Sequence, residues 1–145
     1  MLKEASEESL GFRGGVPMKR RVLLAVDDAE LVATLQTLLW ALDYELLVAR
    51  DGASAQALAL VQRPHVIIID IDLPSGGGRE LTRRLQRQAE THSLPIVLLA
   101  CQPAQEDYRF AFAHGVSKFL TRPFRPIELI HAVDELVERC RSERA

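Results

Sequence analysis

The sequence predicts an α/β fold: a doubly wound, five-stranded parallel sheet with helices on both faces. Three observations lead there. Five short apolar runs recur along the chain, each followed by a segment with helical spacing. Gly and Pro punctuate the boundaries, at Gly52, Pro64, Gly76–Gly78, Pro95, Pro103, Gly115 and Pro123. The 145 residues fit one domain.

The first run, Val22–Val26, is wholly apolar, and so are Val66–Ile69 and Ile96–Leu99. Such runs suit strands buried on both faces. Tyr44–Val48 and Lys118–Leu120 are less uniform and belong nearer the edges. Between the first two runs, Leu31, Leu35, Leu38, Leu39 and Leu42 recur at steps of three and four, giving a helix one apolar face. Ala55, Leu58 and Ala59 mark a second helix, Leu81 and Leu85 a third, and Glu106–His114 a fourth. Ile130, Val133, Val137 and Cys140 mark the last, with Pro126 suited to its first turn.

The composition is that of a soluble globular protein: 48% hydrophobic and 26% charged. Lys and Arg number 18 against 20 acidic residues, a net charge of −2. That balance argues against direct, non-specific nucleic-acid binding. No apolar run approaches the ~20 residues of a membrane helix, so no membrane partner is expected. Cys101 and Cys140 form neither a disulfide framework nor a zinc cluster, which fits a reducing, cytoplasmic setting. Residues 1–18 read as a flexible tail. The tail carries Glu4, Glu7 and Glu8, has Gly11, Gly14, Gly15 and Pro17 as helix breakers, and lacks a secretory signal's apolar core. The folded domain is expected over 19–145, and Met18 is an alternative translation start.

In an open α/β sheet, ligands bind beyond the carboxyl ends of the strands. Asp27-Asp28 follows the first strand and Asp70-Ile71-Asp72-Leu73-Pro74 the third. A flavodoxin-like order, 2-1-3-4-5, makes those strands neighbours and brings Asp27, Asp28 and Asp70 to one rim. Three close carboxylates need a proton or a cation among them. Oxygen ligands suit Mg²⁺, which keeps waters and takes phosphate oxygens. Asp70 could then serve as both ligand and nucleophile. The competing structural reading has Asp27 and Asp28 as caps of the first helix. Asp70 has no such explanation, because it ends the apolar run Val66-Ile67-Ile68-Ile69.

With those residues in view, the sequence resembles the receiver domain of two-component response regulators over about Lys19 to Arg139. The resemblance rests on Val22-Leu23-Leu24-Ala25-Val26-Asp27-Asp28, on Ile67-Ile68-Ile69-Asp70-Ile71-Asp72-Leu73-Pro74 with Gly78, on Leu94-Pro95-Ile96-Val97, and on Arg122-Pro123-Phe124. It implies that Asp70 is the phosphoacceptor, that Asp28 contacts Mg²⁺ directly and Asp27 through water, and that Asp72 offers its main-chain carbonyl. It implies a phosphoryl donor that is a histidine kinase or a histidine phosphotransfer protein, and an output through an unknown downstream protein. A homodimer through the face of the fourth helix, fifth strand and fifth helix is a further implied partner. The expected role is that of a stand-alone, non-enzymatic receiver in a phosphorelay.

Two positions depart from the family, and a third lacks a hydroxyl. Ala100 stands where a Thr or Ser hydroxyl meets the phosphoryl group, and alanine has no donor. Arg122 replaces the Lys before a cis-proline; it keeps the charge with a planar fork and can still contact phosphate. Phe119 takes the aromatic switch position without a hydroxyl. These departures motivate an alternative, a degenerate pseudo-receiver that binds partners without phosphorylation. A remote enzymatic alternative is a haloacid-dehalogenase-like phosphatase, whose first motif resembles Asp70-Ile71-Asp72.

Other signals have plainer readings. Gly76–Gly78 lacks phosphate-loop spacing and reads as a flexible loop. Arg79, Arg83, Arg84 and Arg87 read as a solvated helix face. His65, His92, His114 and His131 show no metal spacing. Cys101, Tyr108, Phe110 and Phe112 read as packing residues.

Overall fold

The computed structural model describes residues 12–13, 16–17, 20–74 and 76–144. Five parallel strands form its centre: β1 (Arg20–Ala25), β2 (Tyr44–Ala49), β3 (Val66–Asp70), β4 (Ile96–Cys101) and β5 (Lys118–Arg122). Their order is β2-β1-β3-β4-β5, the predicted 2-1-3-4-5 arrangement. The two less apolar runs are the edge strands. In register, Leu24 faces Val48 on one side and Ile68 on the other, and Cys101 faces Arg122.

The helices are α1 (Ala29–Ala41), α2 (Gly52–Gln62), α3 (Gly77–Arg87), α4 (Gln105–Ala113) and α5 (Pro126–Arg144). Strand alternation separates two cores. Val22, Leu24, Ile68, Val97 and Leu99 meet α1 and α5 through Leu35, Leu39, Leu129, Val133 and Leu136. Leu23, Ala25, Ile67, Ile69 and Leu98 meet α2, α3 and α4 through Ala55, Ala59, Leu81, Leu85 and Phe110. Val66 to Ile69 have no exposed surface, so each side chain contributes about 1.5–3 kcal/mol of burial.

The α1 stripe is narrower than its leucine spacing predicts. Leu35 and Leu39 are buried, whereas Leu38 is 37% and Leu42 50% exposed. Leu42 lies past the last turn as the C-cap, so the helical period no longer aims it at the sheet. At the amino-terminal rim, a polar clamp ties α5 to the sheet. The Tyr44 hydroxyl donates to Asp134, and Arg20 donates to Glu138 at 3.2 Å. Burial first, then the Asp134 hydrogen bond, pushes the Tyr44 phenol up to about 12.

Phe12–Arg13 and Val16–Pro17 form a small antiparallel ladder within the segment read as tail. The rest of that segment, Met18 and the side chain of Cys140 lie outside what is described. Among the described residues, no helix is long and apolar enough to cross a membrane.

Candidate functional site at the carboxyl rim of the sheet

Three strand ends supply the site. β1 leads into Asp28, the N-cap of α1, whose Oδ1 accepts from the Leu31 N–H at 3.2 Å. β3 ends on Asp70, whose Oδ1 accepts from the Asp72 N–H at 2.9 Å. β5 ends on Arg122, whose guanidinium reaches past β4 to the carboxylates that follow β1 and end β3. Its Nη1 donates to Asp28 Oδ2 at 2.8 Å, and its Nη2 lies 3.5 Å from Asp70 Oδ2. The Phe124 ring lies 5.9 Å from the guanidinium carbon. The hydrogen bond from Arg122, followed by that from Leu31, holds the Asp28 carboxyl below the usual carboxylate range.

The cation that the clustered carboxylates demand is thus a side chain of the protein itself. Asp28 and Asp70 reach the rim that the strand order predicts, and Arg122 joins them there. Asp27 does not join them: it is exposed, with Arg50 4.0 Å away. The Asp72 side chain is also exposed, and its backbone N–H orients Asp70. Among the described residues, no three acidic, imidazole or thiol side chains gather into a metal-holding group.

Close packing explains the last of the loop's three glycines. Gly76 and Gly77 adopt φ of +96° and +82°, and the buried Gly78 donates its N–H to the Ile71 carbonyl at 3.0 Å. A Cβ on Gly78 would stand 2.4 Å from the Asp70 carbonyl oxygen and 2.8 Å from Ile71 Cα. Glycine is therefore what lets α3 start against the end of β3.

Beyond the acidic residues, Ala100 is buried near the end of β4, and Phe119 is half-buried on β5. Phe119 stacks on Tyr108 with centroids 4.8 Å apart. Cys101 is exposed, which corrects its reading as a packing residue: β4 ends there, and the residue has left the sandwich. It borders an open groove of about 670 Å³ with Asp28, Leu31, Arg122, Phe124 and Pro126. Phe112 is 91% exposed and does not pack, because the helical turn that buries Phe110 and Ala111 points it outward.

The arginine row of α3 also departs from a purely solvated face. Arg79 pairs with Asp107 of α4, and the Arg79 and Arg83 guanidinium carbons lie 5.6 and 5.2 Å from the Phe110 centroid. Gln86 bonds the His114 carbonyl. The Arg79 hydrogen bond holds Asp107 low, and Asp107 accepts from the Ala104 N–H at 2.8 Å, capping α4. The partner 28 residues away could not be read from the sequence.

Residues 22–134 match the response regulator receiver domain family. The chain belongs to that family. It is 28% identical over 120 residues to the phosphate regulon transcriptional regulatory protein PhoB of Pseudomonas aeruginosa, covering 83% of this chain and 52% of that protein. It is 30% identical over 119 residues to the DNA-binding dual master transcriptional regulator RpaA of Synechocystis, covering 82% and 49%. The chain thus spans about half the length of these curated relatives. Among solved structures, the chemotaxis protein CheY4 of Vibrio cholerae superposes with a TM-score of 0.74 at 27% identity, over 81% of this chain and 98% of that one. The receiver domain of the Pseudomonas aeruginosa sensor histidine kinase PA1611 gives a TM-score of 0.74 at 26% identity, over 83% and 98%. That structure holds a magnesium ion in its active-site cleft.

Proposed function

We propose that this receiver accepts a phosphoryl group on Asp70 from a phosphohistidine on a kinase or phosphotransfer protein, and signals through protein contact. The observation that carries this is the meeting of Asp28, Asp70 and Arg122 at one strand rim. In the step, an Asp70 carboxylate oxygen attacks phosphorus as the P–N bond to imidazole breaks. The leaving imidazole keeps the bonding electron pair and takes up a proton. Asp72 supports the reaction by holding Asp70 Oδ1 through its N–H, leaving Oδ2 on the side of Arg122. Arg122 then donates to the phosphoryl oxygens, a role that suits a guanidinium fork.

The donor set fits Mg²⁺. Asp28 and Asp70 already accommodate one cationic group between them, and Mg²⁺ takes one or two carboxylates, phosphate oxygens and waters. Asp28 and Asp70 would hold it, with Asp27 acting through water and the Asp72 main-chain carbonyl completing the shell. When bound, the ion neutralises charge developing on the transferring group. The phosphatase alternative fits less well, because Asp70-Ile71-Asp72 follows the third strand of the sheet, not the first. The chain itself is expected to act on no separate substrate.

Acetyl phosphate with Mg²⁺ is expected to add the mass of one phosphoryl group, and beryllium fluoride to shift amide resonances around Asp70. Asp70→Asn is expected to abolish both responses. Wild-type protein unchanged in mass and spectrum would refute the proposal.

A further inference from the structure

We propose that Arg122 is the resident counter-cation of the acidic site and sets its affinity for Mg²⁺, because the guanidinium must release Asp28 before that carboxylate can bind a metal. The inference rests on the reading of Asp28 and Asp70 as the Mg²⁺ ligands. Its basis is the direction of the fork. The shorter contact, 2.8 Å, goes to Asp28, and the 3.5 Å contact to Asp70 comes from the other terminal nitrogen. One planar group therefore occupies both carboxylates at once. An ammonium would have to meet both acceptors from one nitrogen, whereas the guanidinium reaches each from a separate one.

Surroundings reinforce the bridge. The Arg122 side chain is only 26% exposed, and the Phe124 ring lies within cation–π range. Asp28 cannot turn freely toward a new partner, since its other oxygen is engaged as the cap of α1. Both Arg122 contacts are charge-assisted, and such bonds contribute enough to change a competing affinity by about ten-fold. Arg50 offers the internal comparison. It brings the same charge near Asp27 at 4.0 Å, but both side chains are more than half exposed and Arg50 touches neither Asp28 nor Asp70. A general field effect would act through either arginine, whereas direct competition acts through Arg122 alone.

The test is calorimetric titration of MgCl₂ into the full chain as wild type, Arg122→Gln, Arg122→Lys and Arg50→Gln, with circular dichroism to confirm folding. Arg122→Gln is expected to bind Mg²⁺ about ten-fold tighter or more, Arg122→Lys to fall between, and Arg50→Gln to stay within about two-fold of wild type. Should Arg122→Gln fail to fold, Arg122→Lys carries the comparison. Wild-type affinity in the Arg122 variants, or equal tightening in Arg50→Gln, would overturn the competition while leaving the phosphoacceptor reading standing. Absence of binding heat in every protein up to tens of millimolar would overturn both.

Discussion

Gly78→Ala tests how the loop after β3 holds the site. Two effects oppose each other. Alanine is a better helix former than glycine by about 1 kcal/mol, and Gly78 lies within α3. Against this, the new methyl would stand 2.4 Å from the Asp70 carbonyl oxygen, 2.8 Å from Ile71 Cα and 2.8 Å from Ile69 Cγ2. Two of these three atoms are backbone, so no flexible side chain can simply move aside. Overpacking of this kind costs about 1–3 kcal/mol and can exceed that where backbone must shift. Because backbone must shift, the clash outweighs the helix gain, and a net loss of about 1–2 kcal/mol is expected. The Asp70 carbonyl also accepts the Leu73 N–H at 3.1 Å, so the displacement reaches the phosphoacceptor itself. Urea titration followed by circular dichroism measures the stability change, and the beryllium fluoride response reports the site. Gly78→Ala with wild-type stability and an undiminished response would refute this account of the loop.

Two further outcomes follow from contacts away from the rim. The folded state holds the Tyr44 proton until about pH 12, whereas an unfolded tyrosine releases it around 10.0. The stability this proton contributes is therefore complete below pH 10.0 and is lost as pH rises towards 12. Tyr44→Phe is expected to flatten that alkaline slope in denaturant titrations across the window; an unchanged slope would count against the clamp. Arg79→Ala removes the Asp107 ion pair and the contact with Phe110. Roughly 1 kcal/mol of destabilisation is expected, with faster amide exchange in α4 and unchanged exchange in α1.

Much of this was legible in the sequence because the signals were local. Five apolar runs set the strands, and the contrast between Val66–Ile69 and Tyr44–Val48 correctly separated centre from edge. Strand ends placed Asp27, Asp28 and Asp70 at one rim, and two of the three share the Arg122 guanidinium while Asp27 faces solvent. What the sequence could not supply was the aim of long side chains. The bond from Arg122 to Asp28 joins residues 94 apart in sequence, and that from Arg79 to Asp107 residues 28 apart. Neither follows from propensity or period. Exposure at element ends was misread for the same reason: Cys101 closes β4 and Leu42 caps α1, where regular geometry stops directing side chains.

Asp28 shows why two readings of one residue can both hold. As a helix cap it needs one oxygen to accept a backbone N–H, and Oδ1 does so from Leu31. As a member of the acidic site it needs a second oxygen facing a cation, and Oδ2 meets Arg122. A carboxylate has acceptor capacity for both. Capping fixes the orientation of the carboxylate, and that fixed orientation presents Oδ2 to the rim. The structural role is thus a precondition of the chemical one: the cap that makes Asp28 unremarkable in sequence is what holds its second oxygen on the Arg122 guanidinium that also meets Asp70.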